Sequence, residues 1–322
     1  HEEALKCYRD AAACAERIGW LAAASDHLVS AVTTAEARQD FISAVDLGER
    51  LVALEQKRES APDEAVAQVN LAWHFRSVGA LKKAGAAADR AWELLERVSE
   101  AERTRAGMTQ EAFEGIRAVA TLHRAYARWD RGDKSEGARL CGEAVAEFER
   151  LELPGRAAQT RGTLGDHLVQ AGRSADAVDA LRPALEAFEQ AGNAQGVAWV
   201  SGMLGLAYSN LSRFEEALAA YTRVHEIATE MDATHYVAHS LRNLGAVYWR
   251  LARWDEAISH LQEARRLFEE LKNPQGVAAT LTNLGLVHHS LSEFAEAASL
   301  QEQALAIEES AGRPAGIARA LN

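Results

Sequence analysis

The sequence predicts an all-α protein in which antiparallel helix hairpins stack into a solenoid. Three observations predict this class. The composition is typical of packed helices, since 48% of the 322 residues are hydrophobic and only 5 are proline. A Leu-Gly pair returns every 40 residues in the second half of the chain. Within the repeats, apolar residues recur at the three- and four-residue spacing of one helix face.

Charge and cysteine content narrow the classes of function. The formal net charge of -12 disfavours nucleic acid and acidic membranes, because binders of phosphate groups offer a basic surface. No stretch approaches the roughly 20 apolar residues that span a bilayer, and no basic start leads into an apolar run. The 3 cysteines, Cys7, Cys14 and Cys141, contain no close pair. They predict neither a disulfide framework nor a zinc knuckle, and they fit a reducing cytoplasm.

The register of the repeat follows from two anchors. One is the Leu-Gly pair, and the other is a small residue twelve positions after its glycine. Counting backwards in steps of 40, with one step of 53, extends the small anchor to the start of the chain. The register predicts seven complete hairpins, one preceding second helix at residues 2–18 and one first helix beginning near Pro314. The pairs are Leu164-Gly165, Leu204-Gly205, Leu244-Gly245 and Leu284-Gly285, and the small anchors are Ala4, Ala44, Ala84, Gly137, Ala177, Ala217, Ala257 and Ala297.

Each repeat reads as helix, short turn, helix. In residues 235–251, the apolar side chains of Leu241, Leu244 and Tyr248 share one helical face and predict the core side. Gly245 and Ala257 are expected where two helices approach closely, since a larger side chain would separate them. We expect the cysteines to be core residues, above all Cys141, which occupies an anchor position facing the partner helix.

Helix-breaking glycine and proline residues mark the links between repeats. Two places in the chain depart from the 40-residue pattern. Thirteen excess residues fall around 97–112, where they are expected to lengthen two helices or add a loop. Pro183 lies inside a second helix and predicts a kink. We predict one solenoid over residues 1–322, with an N-terminal part (1–96) and a more regular C-terminal part (113–322). It is truncated inside a repeat at both ends, so we expect a fragment of a longer protein. The breakers are Gly192, Gly196, Pro274, Gly276, Gly312, Pro314 and Gly316.

The motifs resemble a known repeat family. Leu204-Gly205-x-x-Tyr208 followed by Ala217, and Leu244-Gly245-x-x-Tyr248 followed by Ala257, resemble the tetratricopeptide repeat in a 40-residue form. The resemblance is close for residues 160–322 and looser before them. Asn243 and Asn283 each precede a Leu-Gly pair. The repeats are thereby similar to those of kinesin light chains, spindle-orientation adaptors, bacterial peptide-sensing regulators, bacterial signalling ATPases and large transcriptional activators.

This resemblance implies a right-handed superhelix whose concave wall, built from the first helices, holds peptides or protein segments. The stripe opposite the core of each first helix is expected to line that wall. Amides on this stripe would bond a peptide backbone, and aromatic rings would supply rigid apolar area. The candidate binding residues are Asn70, Trp73, Arg76, His123, Tyr126, Trp129, Asp166, Gln170, Trp199, Leu206, Asn210, His239, Arg242, Asn243, Ala246, Trp249, Arg250, Asn283, Leu286 and His289.

Each candidate also has a structural interpretation. Trp129 and Trp249 are equally consistent with packing between neighbouring repeats, and the asparagines with hydrogen bonds to an adjacent helix. His235 and His239 have the four-residue spacing of a zinc pair, but no third ligand is evident. We therefore predict surface histidines here, with no metal and no cofactor.

Three functions compete. The leading hypothesis is a protein- or peptide-binding sensor module within a larger signalling or regulatory protein. The second is an arm that holds a linked effector, such as an ATPase, protease or transcription-activating domain, inactive. An enzyme is the weakest hypothesis. The sequence shows no phosphate-cradling loop, nucleophile elbow or dinucleotide fingerprint, and no catalytic residue is predicted.

Overall fold

The computed structural model describes residues 2–312, and these residues form sixteen α-helices and no strand. The predicted all-α class is confirmed. In chain order the helices are α1 (Glu2–Arg17), α2 (Leu21–Ala37), α3 (Phe41–Lys57), α4 (Ala61–Ser77), α5 (Leu81–Arg97), α6 (Glu100–Arg105), α7 (Gln110–Asp130), α8 (Lys134–Arg150), α9 (Pro154–Gln170), α10 (Ser174–Gln190), α11 (Ala194–Asn210), α12 (Phe214–Glu230), α13 (Thr234–Arg250), α14 (Trp254–Glu270), α15 (Pro274–Ser290) and α16 (Phe294–Ser310).

The helices pair as the register predicts. The seven hairpins are α2–α3, α4–α5, α7–α8, α9–α10, α11–α12, α13–α14 and α15–α16, and α1 is the second helix that precedes them. We call the first member of each hairpin a first helix and the other a second helix. The helix expected near Pro314 lies outside the described residues.

Three-residue turns join successive helices of the regular repeats. The middle residue of these turns has a positive φ, as in Gly172 (φ 75°), Gly192 (φ 64°) and Ala252 (φ 55°). This left-handed residue ends one helix and reverses the chain before the next helix begins. The turns therefore have one geometry, whether or not their middle residue is glycine.

Small residues let the two helices of a hairpin approach closely, as predicted. A Cβ atom added to Gly245 would lie 2.5 Å from Cγ of Leu261, and one added to Gly205 would lie 2.6 Å from the ring of Tyr221. Ala257 is fully buried. Each glycine thus makes room for a large apolar side chain of the second helix.

The irregular stretch around 97–112 adds one short helix and lengthens another. Helix α6 begins with a capping box, in which Ser99 and Glu102 bond each other's backbone N–H groups. The guanidinium of Arg103 lies 4.5 Å from the ring centroid of Phe113 and ties α6 to α7. Helix α7 has 21 residues, whereas the regular first helices have 17. The extra turn lies at its N-terminal end.

Helix α10 continues through Pro183.

The chain divides into two compact units between Leu164 and Gly165, inside α9. In the first unit, Leu28 and Leu47 are fully buried, and in the second, Leu261 and Phe268 are fully buried. Both cores lie between first and second helices. The stretch around 97–112 belongs to the first unit.

The prediction that all three cysteines are core residues is wrong for two of them. Cys141 is buried, but Cys7 and Cys14 are exposed on α1. Seven residues apart, these two share the face of α1 opposite the buried Leu5, Ala12 and Ala15. Burial raises the pKa of the Cys141 thiol to about 12, so this group stays neutral at physiological pH.

Candidate functional site

Two first helices of the second unit, α13 and α15, present a row of side-chain amides at one repeat position. Asn243 on α13 and Asn283 on α15 lie 40 residues apart, and both are half-buried. The Oδ1 atom of Asn243 accepts a hydrogen bond from Arg242 of its own helix at 3.3 Å. Among residues 2–312, Asn283 has no hydrogen-bond partner. The expectation that asparagines bond an adjacent helix does not hold for these two, whose amides retain bonding capacity for a ligand.

Trp249 and Arg250 lie about two turns further along α13 than Asn243. The indole Nε1 of Trp249 donates to the hydroxyl of Ser290 on α15 at 2.9 Å, and the guanidinium of Arg250 lies 4.7 Å from the Trp249 ring centroid. The Trp249 ring therefore packs between two repeats. Arg250 is exposed and makes no ion pair within residues 2–312, so its charge faces solvent.

His239 occupies a more enclosed place than a ligand-facing stripe predicts. Its imidazole meets the Phe268 ring edge-on, with centroids 5.0 Å apart. A Cβ atom on Gly276 would lie 2.3 Å from Phe268, so the phenyl ring fills the space that this glycine leaves and reaches α13. Burial, with the nearby charge of Arg242, lowers the pKa of His239 to about 4. Trp199 packs in a similar way, 6.4 Å from Phe188.

The remaining candidates of the second unit form local contacts. Gln170 donates to Asp166 on the same helix at 3.0 Å. Asn210 donates to Ser174 of α10 at 3.2 Å, which is a bond to an adjacent helix. His289 is exposed and lies 5.3 Å from the Phe294 ring. Leu206 is exposed as well, and Ala246 and Leu286 are half-buried.

In the first unit, candidates from α4 and α7 form one aromatic and ionic cluster. The guanidinium of Arg76 lies 4.6 Å from the Tyr126 ring centroid and forms an ion pair with Asp130. His123 lies between Trp73 and Tyr126, with ring centroids at 6.5 Å and 6.0 Å. This cluster joins two neighbouring first helices. It also leaves the Trp73 ring exposed.

The cluster holds His123 in its neutral form. Burial, followed by the charges of Arg76 and His74, lowers the pKa of His123 to about 4. Trp129, on the same helix, packs over the small anchor of α8, since a Cβ atom on Gly137 would lie 3.2 Å from its ring. His123 and Trp129 are therefore structural elements of this surface as well as candidates.

A pocket of about 540 Å³ opens beside this cluster, and only one of its lining residues is among the candidates predicted from the sequence. Asn70 is that residue, and it is exposed. The pocket lies between α4, the first half of α7 and the α8–α9 turn. Its wall includes Glu111 from the extra turn of α7 and Thr109, the N-cap residue of that helix. The apolar lining consists of Val66, Val69, Ile116, Val119, Phe148 and Leu153.

The zinc spacing of His235 and His239 gains no third ligand in the described part of the chain. Their rings lie 5.6 Å apart, and no group of three His, Cys, Asp or Glu side chains suited to a metal occurs among residues 2–312. Within the same residues, no helix is both long and apolar enough to cross a membrane.

Comparison with known proteins identifies the repeats. Residues 156–230 and 236–310 match the family model described as tetratricopeptide repeat. These two segments carry tetratricopeptide repeats. The family predicted from the Leu-Gly pairs is confirmed, and the matched residues contain the polar row of α13 and α15. A comparison with curated proteins finds no match.

Solved tetratricopeptide-like structures share the fold at low identity. RapI, in its apo form, is 15% identical over 89% of this chain and 76% of its own, with a TM-score of 0.66. BtubC (BKLC) from P. vanneervenii is 22% identical over 72% of this chain and 92% of its own, with a TM-score of 0.59.

A third structure is a signal transduction ATPase with numerous domains, PH0952 from Pyrococcus horikoshii, which has a tetratricopeptide repeat sensor. It is 13% identical over 99% of this chain and 52% of its own, with a TM-score of 0.61. At these identities the three structures show the fold alone.

Proposed function

We propose that the chain is a non-catalytic binding module that holds a peptide segment of a protein partner on the first helices of its second unit. One observation carries the proposal. Asn243 and Asn283 stand at the same position of neighbouring repeats, and neither amide is consumed by a bond to another helix. A side-chain amide both donates and accepts, so a row of them matches the alternating groups of a peptide backbone.

The charge of the surrounding surface favours an acidic or mixed segment. Arg242 and Arg250 lie on the same helix as Asn243, in a chain of net charge -12. A guanidinium offers a planar fork of donors to a carboxylate. We place the module in the cytoplasm as part of a larger regulatory protein, with no nucleic acid, membrane or cofactor as partner. Its three free cysteines support a reducing compartment.

The test selects peptides first and then maps their site. Random peptides displayed on phage are selected on the 322-residue protein, and their affinity is measured for Asn243→Ala, Asn283→Ala and Arg250→Ala. Each true anchor should cost about 1–4 kcal/mol, or at least fivefold in affinity, with an unchanged melting temperature. Gln262→Ala, an exposed amide on the second helix α14, is the matched control and should bind as the wild type does. Undiminished binding by all three variants would remove this surface from the proposal.

A second candidate function is an arm that holds a linked effector domain of the same polypeptide. The likeness to PH0952 favours it, because a tetratricopeptide repeat sensor there belongs to a longer ATPase. The two candidates differ in where the partner comes from. A selected peptide that competes with a linked domain for Asn243 and Asn283 in the full-length protein supports the second candidate, and lack of competition supports the first.

A further inference from the structure

The pocket beside α7 differs from the rest of the first-helix surface in how it arises. A regular first helix of 17 residues ending at Asp130 would begin at Glu114, but α7 begins at Gln110. The added turn supplies Glu111 and Ala112 to the pocket wall, and its N-cap residue Thr109 lines the pocket as well. The pocket is therefore a product of the inserted residues and has no counterpart in the 40-residue repeat.

A glycine in the wall of this pocket has no role in helix packing. Gly115 lines it, and a Cβ atom added there would meet no heavy atom within 4 Å. The glycines of the helix interfaces behave differently, since an added Cβ on Gly245 would lie 2.5 Å from Leu261. Helix packing does not account for Gly115. A glycine inside a helix lowers stability by about 0.5–1 kcal/mol relative to alanine. At position 115 the missing side chain leaves open space in the pocket.

The lining of the pocket suits apolar side chains. The wall is mainly aliphatic and aromatic, with Val69, Ile116 and Phe148 among its residues. The volume of about 540 Å³ lies within the ~300–1,000 Å³ that ligand sites span. At its edge, the exposed amide of Asn70 has no hydrogen-bond partner among residues 2–312. This amide is free to bond the backbone of a bound segment.

Two opposite charges at the pocket are unpaired. Neither Glu111 nor Arg156 forms an ion pair within residues 2–312, although both are exposed. Their charged neighbours do pair, since Arg150 contacts Glu114 at 2.9 Å and Arg117 contacts Glu147 at 3.4 Å. The guanidinium of Arg156 lies 5.9 Å from the Phe148 ring centroid. Glu111 lies in the first turn of α7 and Arg156 in the first turn of α9, so the two charges come from different walls.

We infer that this pocket binds two adjacent large apolar side chains of a peptide segment of a partner protein. A basic residue of the segment lies toward Glu111, and an acidic residue lies toward Arg156. Charge complementarity favours this occupant over an uncharged apolar molecule, which would gain nothing from either charge. The site lies in the first unit, so it is separate from the amide row of the proposed function.

The probes are four fluorescein-labelled 12-residue peptides. One has a central Leu-Phe pair with Lys before it and Asp after it, and the second exchanges the two charges. The third replaces both charges by Ser, and the fourth replaces the Leu-Phe pair by Ser-Ser. Fluorescence anisotropy gives the affinity of each peptide for the 322-residue protein. We expect one charge order to bind at least tenfold more tightly than the Ser-Ser peptide, as hot-spot side chains do.

Matched variants then locate the site. Gly115→Leu fills the pocket and should weaken the preferred peptide at least tenfold. Gly142→Leu makes the same change on the exposed face of α8, where an added Cβ also meets no atom within 4 Å, and should leave binding unchanged. The double variant Glu111→Lys/Arg156→Glu should reverse the preferred charge order. Both of its positions are exposed, so it tests the site even if Gly115→Leu fails to fold by circular dichroism.

Three results would overturn the inference. They are equal binding of the Leu-Phe and Ser-Ser peptides, wild-type affinity of folded Gly115→Leu, and an unreversed charge preference in the double variant. A fourth result would assign the pocket to a small molecule instead. In that case the protein binds none of the peptides, but it binds 1-anilinonaphthalene-8-sulfonate and loses this binding in Gly115→Leu. Asn243→Ala and Asn283→Ala should not affect these probes, so failure here leaves the proposed function standing.

Discussion

His123 is a side chain that the fold keeps uncharged. Its pKa is lowered to about 4 by burial and by the charges of Arg76 and His74, whereas an unfolded histidine titrates near 6.5. Between these two values the unfolded chain binds a proton that the folded chain does not. The free energy of unfolding therefore falls as the pH drops from 6.5 toward 4, and it is insensitive to His123 above 6.5.

The prediction is that His123→Phe makes the protein less sensitive to acid. Between pH 7 and pH 5 the wild type should lose about 2 kcal/mol more stability than the variant. Thermal unfolding followed by circular dichroism at the two pH values measures the difference. The difference in melting temperature between the two proteins at pH 7 gives the packing effect of the new ring, which is subtracted from the difference at pH 5. An equal decrease in melting temperature for both proteins would show that His123 is not held neutral.

Side-chain position was predictable at this scale, but side-chain bonding was not. The register placed Asn243 and Asn283 correctly at one repeat position. It could not tell that Asn210 bonds Ser174 while Asn283 has no partner in the described chain, because a hydrogen bond depends on neighbours from another helix. The exposure of Cys7 has a different origin, since Cys7 lies on the face of α1 opposite its buried residues.

At the scale of the element, the turns between helices offer a clean comparison. Gly172 and Ala252 occupy the same position of two repeats, 80 residues apart, with φ values of 75° and 55°. A left-handed conformation costs a non-glycine residue about 1–2 kcal/mol, partly offset by the lower entropy of the unfolded chain. No atom lies within 4 Å of a Cβ placed on Gly172, so packing does not obscure the comparison.

We predict that Gly172→Ala lowers the stability by about 1 kcal/mol and that Ala252→Gly raises it by up to about 1 kcal/mol. Melting temperatures of the two variants and of the wild type give the signs. Shifts in the same direction for both exchanges would mean that the turns do not share one backbone geometry.

Elements inside the repeat were predictable, and the insertion was not. Gly245 and Ala257 marked a close approach that the structure shows, because a spacing of 40 residues recurs and can be counted. Residues 97–112 have no second copy to align with, so the expectation of lengthened helices or an added loop could not be resolved into α6 and the extra turn of α7. The pocket could not be predicted either, because its wall includes residues of the insertion. The sequence offered Gly115 as a signal of it.

At the scale of the whole molecule, the chain contains two units with different candidate surfaces. The second unit carries matched tetratricopeptide repeats and the amide row. The first unit carries the insertion, the cluster around His123 and the apolar pocket. We predict that the two surfaces respond to different substitutions, since no residue is shared between them.

The most direct test of the central claim is the location of a bound peptide. A peptide selected on the protein is synthesised with a photo-reactive diazirine side chain, irradiated in the complex, and its attachment sites are read by mass spectrometry. We predict attachment to the first helices of the second unit, within Ala194–Asn210, Thr234–Arg250 and Pro274–Ser290, and its loss in Asn243→Ala/Asn283→Ala. Attachment to the second helices instead, within Phe214–Glu230 and Trp254–Glu270, would contradict the account.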